Sequence, residues 1–154
     1  MNLVLVEPEI PPNTGNVARL CAATQTTLHL VEPFGFKLDD ARLKRAGMDY
    51  WEQVRWHRWV SWRAFVEHLP EKARLWLIES NGPKRYDQVQ FAADDYLVFG
   101  RETAGLPAPL LEQHREHWLR IPMFNGAARS LNLSNCAALV LFEALRQQGF
   151  PGEI

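Results

Sequence analysis

The stretch Tyr96-Leu97-Val98-Phe99-Gly100-Arg101-Glu102-Thr103-Ala104-Gly105-Leu106-Pro107 runs from a strand, through a loop flanked by glycines, to the start of a helix. The apolar residues Tyr96–Phe99 end on Gly100 and predict a strand. Gly100 and Gly105 bracket Glu102, and glycines let the backbone approach a ligand closely. Pro107 suits a helix N-terminus, so a helix is expected directly after it. A ligand-suited loop between strand and helix marks the carboxyl edge of an open α/β sheet. The loop lacks the G-x-G-x-x-G dinucleotide fingerprint, and no Lys-Ser/Thr follows Gly105 as a phosphate loop requires.

The same alternation extends in both directions. Asn2–Val6 and Thr27–Val31 read as strands, with a helix over 14–24 between them, N-capped by Asn13. Asp39 and Asp40 open a basic helix that contains Arg42, Lys44 and Arg45 and ends near Gly47. A weak strand over 54–59 precedes a helix over 61–69 capped by Ser61. Residues 74–79 and 117–121 are further strands, and Asn81-Gly82-Pro83 is a turn. The final helix, 132–148, places Leu133, Cys136, Ala137, Val140, Leu141, Ala144 and Leu145 on one face. Ala138, Leu139 and Phe142 carry the apolar character round to the other side. Such a helix is expected to pack on its own sheet and on a partner subunit, which predicts a homodimer. The expected fold is therefore α/β: a mostly parallel sheet with helices on both faces, in a single domain over 1–154.

Composition narrows the function. Hydrophobic residues make up 47% and charged residues 23% of the 154, as in ordinary globular chains. No apolar run approaches the roughly 20 residues that span a bilayer. The opening Met1-Asn2-Leu3-Val4-Leu5 has no basic leader, so a cytoplasmic location is expected. Cys21 and Cys136 offer neither metal spacing nor a disulfide framework, and no metal is expected. A formal charge of −1 disfavours a protein that coats nucleic acid, but leaves room for a local basic patch.

Two more loops stand out. Pro11-Pro12-Asn13-Thr14-Gly15-Asn16 joins prolines to a helix N-terminus, a site that favours anions, with Arg19 further in. Ile121-Pro122-Met123 is followed by Arg129-Ser130-Leu131-Asn132-Leu133-Ser134-Asn135. Polar residues crowd the start of that otherwise apolar helix. One cap needs one of them, and the surplus points to a ligand or a neighbouring loop.

In combination these loops resemble the three motifs of the SPOUT superfamily, the α/β-knot methyltransferases. Asn13-x-Gly15-Asn16-x-x-Arg19 is similar to the first, Phe99-Gly100-x-Glu102-x-x-Gly105-Leu106 to the second, and Ile121-Pro122-Met123 with Ser130-Leu131-Asn132-Leu133-Ser134-Asn135 to the third. Glu7-Pro8-Glu9-Ile10, Glu32-Pro33-x-Gly35-Phe36 and Arg45-Ala46-Gly47-x-Asp49-Tyr50 resemble the minimal TrmL (YibK-like) group, tRNA (cytidine/uridine-2′-O)-methyltransferases of the wobble nucleotide. The resemblance implies a deep C-terminal trefoil knot, a homodimer, S-adenosylmethionine as cofactor and tRNA-Leu isoacceptors as substrates, methylated at position 34. It implies a cofactor pocket near Ile78, Gly100, Ile121, Ser130 and Leu131, with Ser80, Glu102 and Asn135 close by. Phe142 stands where some relatives carry Tyr.

The resemblance casts Arg19 as the group that activates the 2′-hydroxyl, with Asn16 beside it. A guanidinium is always charged and a poor base, so a role in holding ribose and phosphate suits Arg19 better. Asn13, Arg45 and Arg129 are further substrate-contact candidates, and Arg42, Lys44, Lys84 and Arg85 are candidates for a tRNA-facing surface. Trp51, Trp56, Trp59 and Trp62 suit base stacking, a core or a dimer surface. The alternatives are methylation of another tRNA position or of rRNA, a catalytically silent knotted RNA-binding protein, and a flavodoxin- or Rossmann-like nucleotide binder, which the missing phosphate loop disfavours.

Overall fold

The computed structural model describes residues 1–38 and 51–154, so the basic helix expected after Asp39 and Asp40 lies outside the described residues, Arg45 included. The strands are β1 (Asn2–Val6), β2 (Thr27–Val31), β3 (Trp56–Trp59), β4 (Leu75–Ile78), β5 (Lys84–Arg85), β6 (Tyr96–Phe99) and β7 (Trp118–Arg120). They form one sheet in the order β3-β2-β1-β6-β4-β7-β5, and every pairing is parallel. Parallel neighbours require crossovers, and the crossovers carry the helices. These are α1 (Pro11–Thr24), α2 (Trp62–Glu67), α3 (Ala108–Gln113) and α4 (Leu133–Gln147).

The sheet is covered on both faces, as the alternation predicts. On one face Leu3, Leu5, Leu28, Leu30, Leu97 and Phe99 pack against Val17, Ala18 and Cys21 of α1 and Ala137, Val140, Leu141 and Ala144 of α4. On the other, Val4, Val6, Leu77 and Val98 meet Phe65 of α2 and Leu110 and Leu111 of α3. The period of two along each strand sends alternate residues to opposite layers. Continuous apolar strands such as Leu75–Ile78 follow from burial on both faces.

One helix start differs from expectation. Asn13 is not the N-cap of α1. The helix begins at Pro11, with Ile10 in the capping position and no side-chain cap. Prolines at the first two helical positions supply the right φ and lack amides that would go unpaired anyway. Asn13 is thereby rotated inward, 6% exposed, and its amide is free for other work. Ser61 and Asn132 do cap α2 and α4, accepting from Ala64 N and Ser134 N.

The tryptophan-rich segment packs on the edge of the sheet. His29 of β2 is 6% exposed. Its Nδ1 accepts from Trp59 Nε1 at 3.1 Å, and its Nε2 faces Asn2 Oδ1 at 3.3 Å. His57 stacks on it with ring centroids 5.2 Å apart. Burial, with a contribution from His57, pushes the His29 pKa down to about 4. The folded protein therefore holds His29 neutral where the unfolded chain binds a proton. Stability tied to this site is complete above pH 6.5 and drains away as pH falls towards 4, by at most about 3 kcal/mol. Urea midpoints at pH 7 and pH 5 check this. The wild type should lose stability between them, and His29→Gln, whose amide can both accept and donate, should flatten the difference. An equal drop in both proteins would show that other groups cause it.

Candidate active site

β1 lies at the switch point of the sheet, with β2 on one side and β6 on the other. Crevices at the carboxyl ends of such strands are where open α/β sheets bind ligands. Here the segments that follow β1, β4, β6 and β7 enclose a cavity of about 690 Å³, joined by the stretch that leads into α4. That volume lies in the range of small-molecule sites. Ile78, Phe99, Leu106, Ile121, Leu131 and Leu133 supply apolar wall.

The loops are clasped by side chains. Glu102 accepts from Glu9 N at 2.8 Å, Ile10 N at 3.2 Å and Asn13 Nδ2 at 3.2 Å. Glu9 returns the contact, accepting from Thr103 N at 3.0 Å and Thr103 Oγ1 at 2.7 Å. Those hydrogen bonds, the hydroxyl first, hold the Glu9 carboxyl below its ordinary pKa. Asn13 Oδ1 in turn accepts from Asn132 Nδ2 at 2.9 Å. Glu102, Asn13 and Asn132 thus form one chain of contacts across all three motif segments. Within the second loop, Arg101 and Gly105 exchange backbone hydrogen bonds of 3.1 and 2.8 Å, and Gly105 takes φ +65°. Gly100 faces this turn so closely that a Cβ would lie 2.2 Å from Gly105 C and 2.4 Å from Leu106 N.

Ile78, Ser80, Gly100, Glu102, Ile121, Ser130 and Leu131 all line the cavity, as do Asn13 and Arg129. Asn135 does not: it lies on the exposed side of α4, because Cys136, Ala137 and Val140 take the inward positions. Asn132 makes the contact to the first motif. Asn16 and Arg19 sit on the exposed side of α1, outside the cavity lining. Arg19 is six residues beyond Asn13, about 9 Å along the helix axis. Lys84 and Arg85 are engaged with Glu116 and Asp87 at 3.6 and 2.6 Å. Cys136 lines the cavity with a thiol that burial pushes up to about 11, while Cys21 is buried at about 12. Both thiols are free and stay protonated near neutral pH.

Glu79 is the residue that the sequence did not single out. It follows β4 directly and lines the cavity. Its Oε2 accepts from Leu106 N at 3.0 Å, and its Oε1 from Ser80 N at 2.9 Å and Ser80 Oγ at 3.2 Å. A glutamate at the end of an expected strand carries no signal of this kind. Among the described residues, no group of three His, Cys, Asp or Glu side chains is arranged to hold a metal ion, and no helix is long and apolar enough to cross a membrane.

A fully parallel sheet, with three loop segments clasped around a cavity at its switch point, defines an α/β protein of the open, helix-covered kind. Residues 1–142 match the model of the SpoU rRNA Methylase family, and the chain belongs to that family. It is 55% identical to a tRNA (cytidine(34)-2'-O)-methyltransferase of Burkholderia cenocepacia, over 98% of this chain and 97% of that one. A crystal structure of a putative RNA methyltransferase from Bacillus anthracis superposes with a TM-score of 0.89 at 48% identity, covering 98% of this chain and 96% of that one. A structure concerned with 2-OH methylation of C/U34 on tRNA gives 0.92 at 43% identity, with coverage of 96% and 95%.

Proposed function

We propose that this protein transfers a methyl group from S-adenosylmethionine to the ribose 2′-hydroxyl of nucleotide 34, cytidine or uridine, of tRNA-Leu isoacceptors. The observation that carries this reading is the clasp of three motif segments around one cavity through Glu102, Asn13 and Asn132. Likeness over nearly the full length of the Burkholderia enzyme supports the reaction and the position.

The residues present suit the cofactor. Ile78, Ile121 and Leu131 offer apolar surface for a purine, and Gly100 lets the loop backbone come close. Arg129 offers a cation in the same cavity for a carboxylate. When bound, the cofactor supplies an electrophilic methyl group on a sulfonium. The chain's task is then to place a hydroxyl in line and let its proton leave, and positioning supplies much of the acceleration. A tRNA is far larger than the cavity and must rest on the surface around it, and Asn16 and Arg19 stand on the exposed side of α1. Arg19 holds the ribose and its phosphate by a charged, forked contact, with Asn16 orienting it. The proton leaves through phosphate or water.

The same reading takes residues 1–154 as one catalytic unit that acts in the cytoplasm, with a C-terminal trefoil knot. It includes a homodimer. On α4, Ala137, Val140, Leu141 and Ala144 are buried, while Leu139 and Phe142 remain 43% and 49% exposed. An apolar outer face of this kind suits a second copy. Sedimentation of a monomer at micromolar concentration would remove the dimer.

Tritium-methyl transfer to total tRNA from a strain lacking the activity, followed by nucleoside mapping, tests the central reading. Label is expected in 2′-O-methylated nucleotide 34 of tRNA-Leu. Label in rRNA or at another tRNA position would replace the substrate, and absence of cofactor binding at millimolar concentration would sink the reaction. In the same assay Arg19→Ala should lose about 100-fold or more in rate, the scale of removing one charge-stabilising donor. Arg19→Lys should retain measurable activity with an unshifted pH profile. A pH profile that moves with the lysine substitution would instead make Arg19 the base.

A further inference from the structure

Two carboxylates line the cavity, and they are not equivalent. Glu102 gives its oxygens to Glu9 N, Ile10 N and Asn13 Nδ2 and so serves the loops. Glu79 also receives Leu106 N, but its other oxygen is turned to Ser80, a residue on the cavity wall. A carboxylate has about four lone-pair sites. Three are taken here by neutral donors: Leu106 N, Ser80 N and Ser80 Oγ. One remains. Because the Ser80 hydroxyl spends its proton on Glu79, its own lone pairs are left to accept. The end of β4 therefore presents two adjacent acceptors, the last site on Glu79 and the Ser80 oxygen, 3.2 Å from Glu79 Oε1.

Two acceptors side by side match two donors side by side, and a nucleoside offers these as its cis 2′,3′-diol. A carboxylate at the carboxyl end of a parallel strand binds ribose hydroxyls in the same way in dinucleotide folds. We propose that Glu79, with Ser80, binds the ribose diol of the cofactor, and so selects a ribonucleoside ligand. This rests on the reading of the cavity as an S-adenosylmethionine site. The contact also couples cofactor to loop, since the oxygen that receives Leu106 N belongs to the same carboxylate.

Calorimetric titration of the full chain with five probes tests the assignment: S-adenosylmethionine, S-adenosylhomocysteine, methylthioadenosine, and the 2′- and 3′-deoxy forms of S-adenosylhomocysteine. Glu79→Gln retains the shape of the side chain and an acceptor for Leu106 N. It is expected to weaken the three diol-bearing ligands by a common factor of about 10 or more. The deoxy forms should bind weakly to the wild type and lose little further in the variant. A loss for S-adenosylmethionine alone would place Glu79 at the sulfonium, and a loss that spares methylthioadenosine would place it at the ammonium. Either result overturns the proposal. So does an equal loss for diol and deoxy ligands, which marks a loop-holding role only. Failure of the wild type to bind any of the five would remove the cofactor reading itself, and is thereby distinct from failure of Glu79.

Discussion

Gly100→Ala is expected to weaken cofactor binding by roughly 100-fold or more in a chain that still folds. The reason is backbone contact. A methyl group at position 100 would lie 2.2 Å from Gly105 C, 2.4 Å from Leu106 N and 2.5 Å from Gly105 O. None of these atoms is the tip of a flexible side chain, so the loop itself must move. It cannot move alone. Arg101 and Gly105 are locked by a reciprocal pair of hydrogen bonds, and Glu102 and Thr103 are held by the loop after β1. Leu106 N is held by Glu79. Relief of the clash therefore disturbs the clasp and the cavity wall together. Overpacking of this kind costs about 1–3 kcal/mol of stability. The larger effect falls on binding, with a loss of roughly 100-fold or more in affinity for S-adenosylhomocysteine, because several wall contacts shift at once. Calorimetric titration measures the affinity, and circular dichroism shows whether the variant is folded. Gly126→Ala is the control: nothing lies within 4 Å of a Cβ there, so binding should be unchanged. Wild-type affinity in Gly100→Ala would mean that the loop yields freely and does not form the wall.

Much of this site was legible because its residue types are costly anywhere else. Glycines at 100 and 105, prolines at 11 and 12, and polar residues crowded at 130–135 violate the patterns of ordinary strands and helices. The strands β1, β2 and β6 were equally plain, since apolar runs bounded by turn residues have few other uses. What stayed hidden depended on partners distant in sequence. Asn13 looked like a cap because local rules favour Asn there, yet the prolines start the helix earlier and free its amide for Glu102 and Asn132. Asn132 satisfies Ser134 N as a cap and still reaches Asn13, a contact 119 residues away in sequence. Glu79 read as the last residue of a strand, because its partner Leu106 lies 27 residues on. The two-residue strand β5 has no periodicity to detect and exists only through its pairing with β7. Local chemistry thus located the loops, and tertiary contacts decided which of their side chains face the cavity.

Asp95→Ala is expected to cost more stability than any exposed charge change, although Asp95 touches neither loop nor ligand. The side chain is 2% exposed and stands just before β6. Its carboxylate accepts from Arg74 Nε at 2.8 Å and Nη2 at 2.7 Å, from Trp76 Nε1 at 2.7 Å and from Ala92 N at 2.8 Å. It therefore joins the start of β4, the start of β6 and the turn between 92 and 95. Removal leaves Trp76 Nε1 buried without its acceptor and Arg74 without its forked partner. Loss of one member of a buried pair costs about 3–5 kcal/mol. Arg74 is 37% exposed, so water can restore part of its solvation, and the lower end of that range applies. A domain of this size is stable by only about 5–15 kcal/mol. The melting temperature should therefore fall by roughly 10 °C, at 2–4 °C for each kcal/mol. Asp95→Asn, which keeps shape and one acceptor, should cost less. Asp94→Ala, at an exposed neighbour, should stay within about 0.5 kcal/mol. Thermal melts of the three variants decide the matter. Equal effects at 94 and 95 would mean that the network around Trp76 contributes nothing beyond surface charge. The expected order, Asp95→Ala well below Asp95→Asn and Asp94→Ala near the wild type, would show that β4 is pinned at its start by Asp95, while its far end carries Glu79 into the cavity.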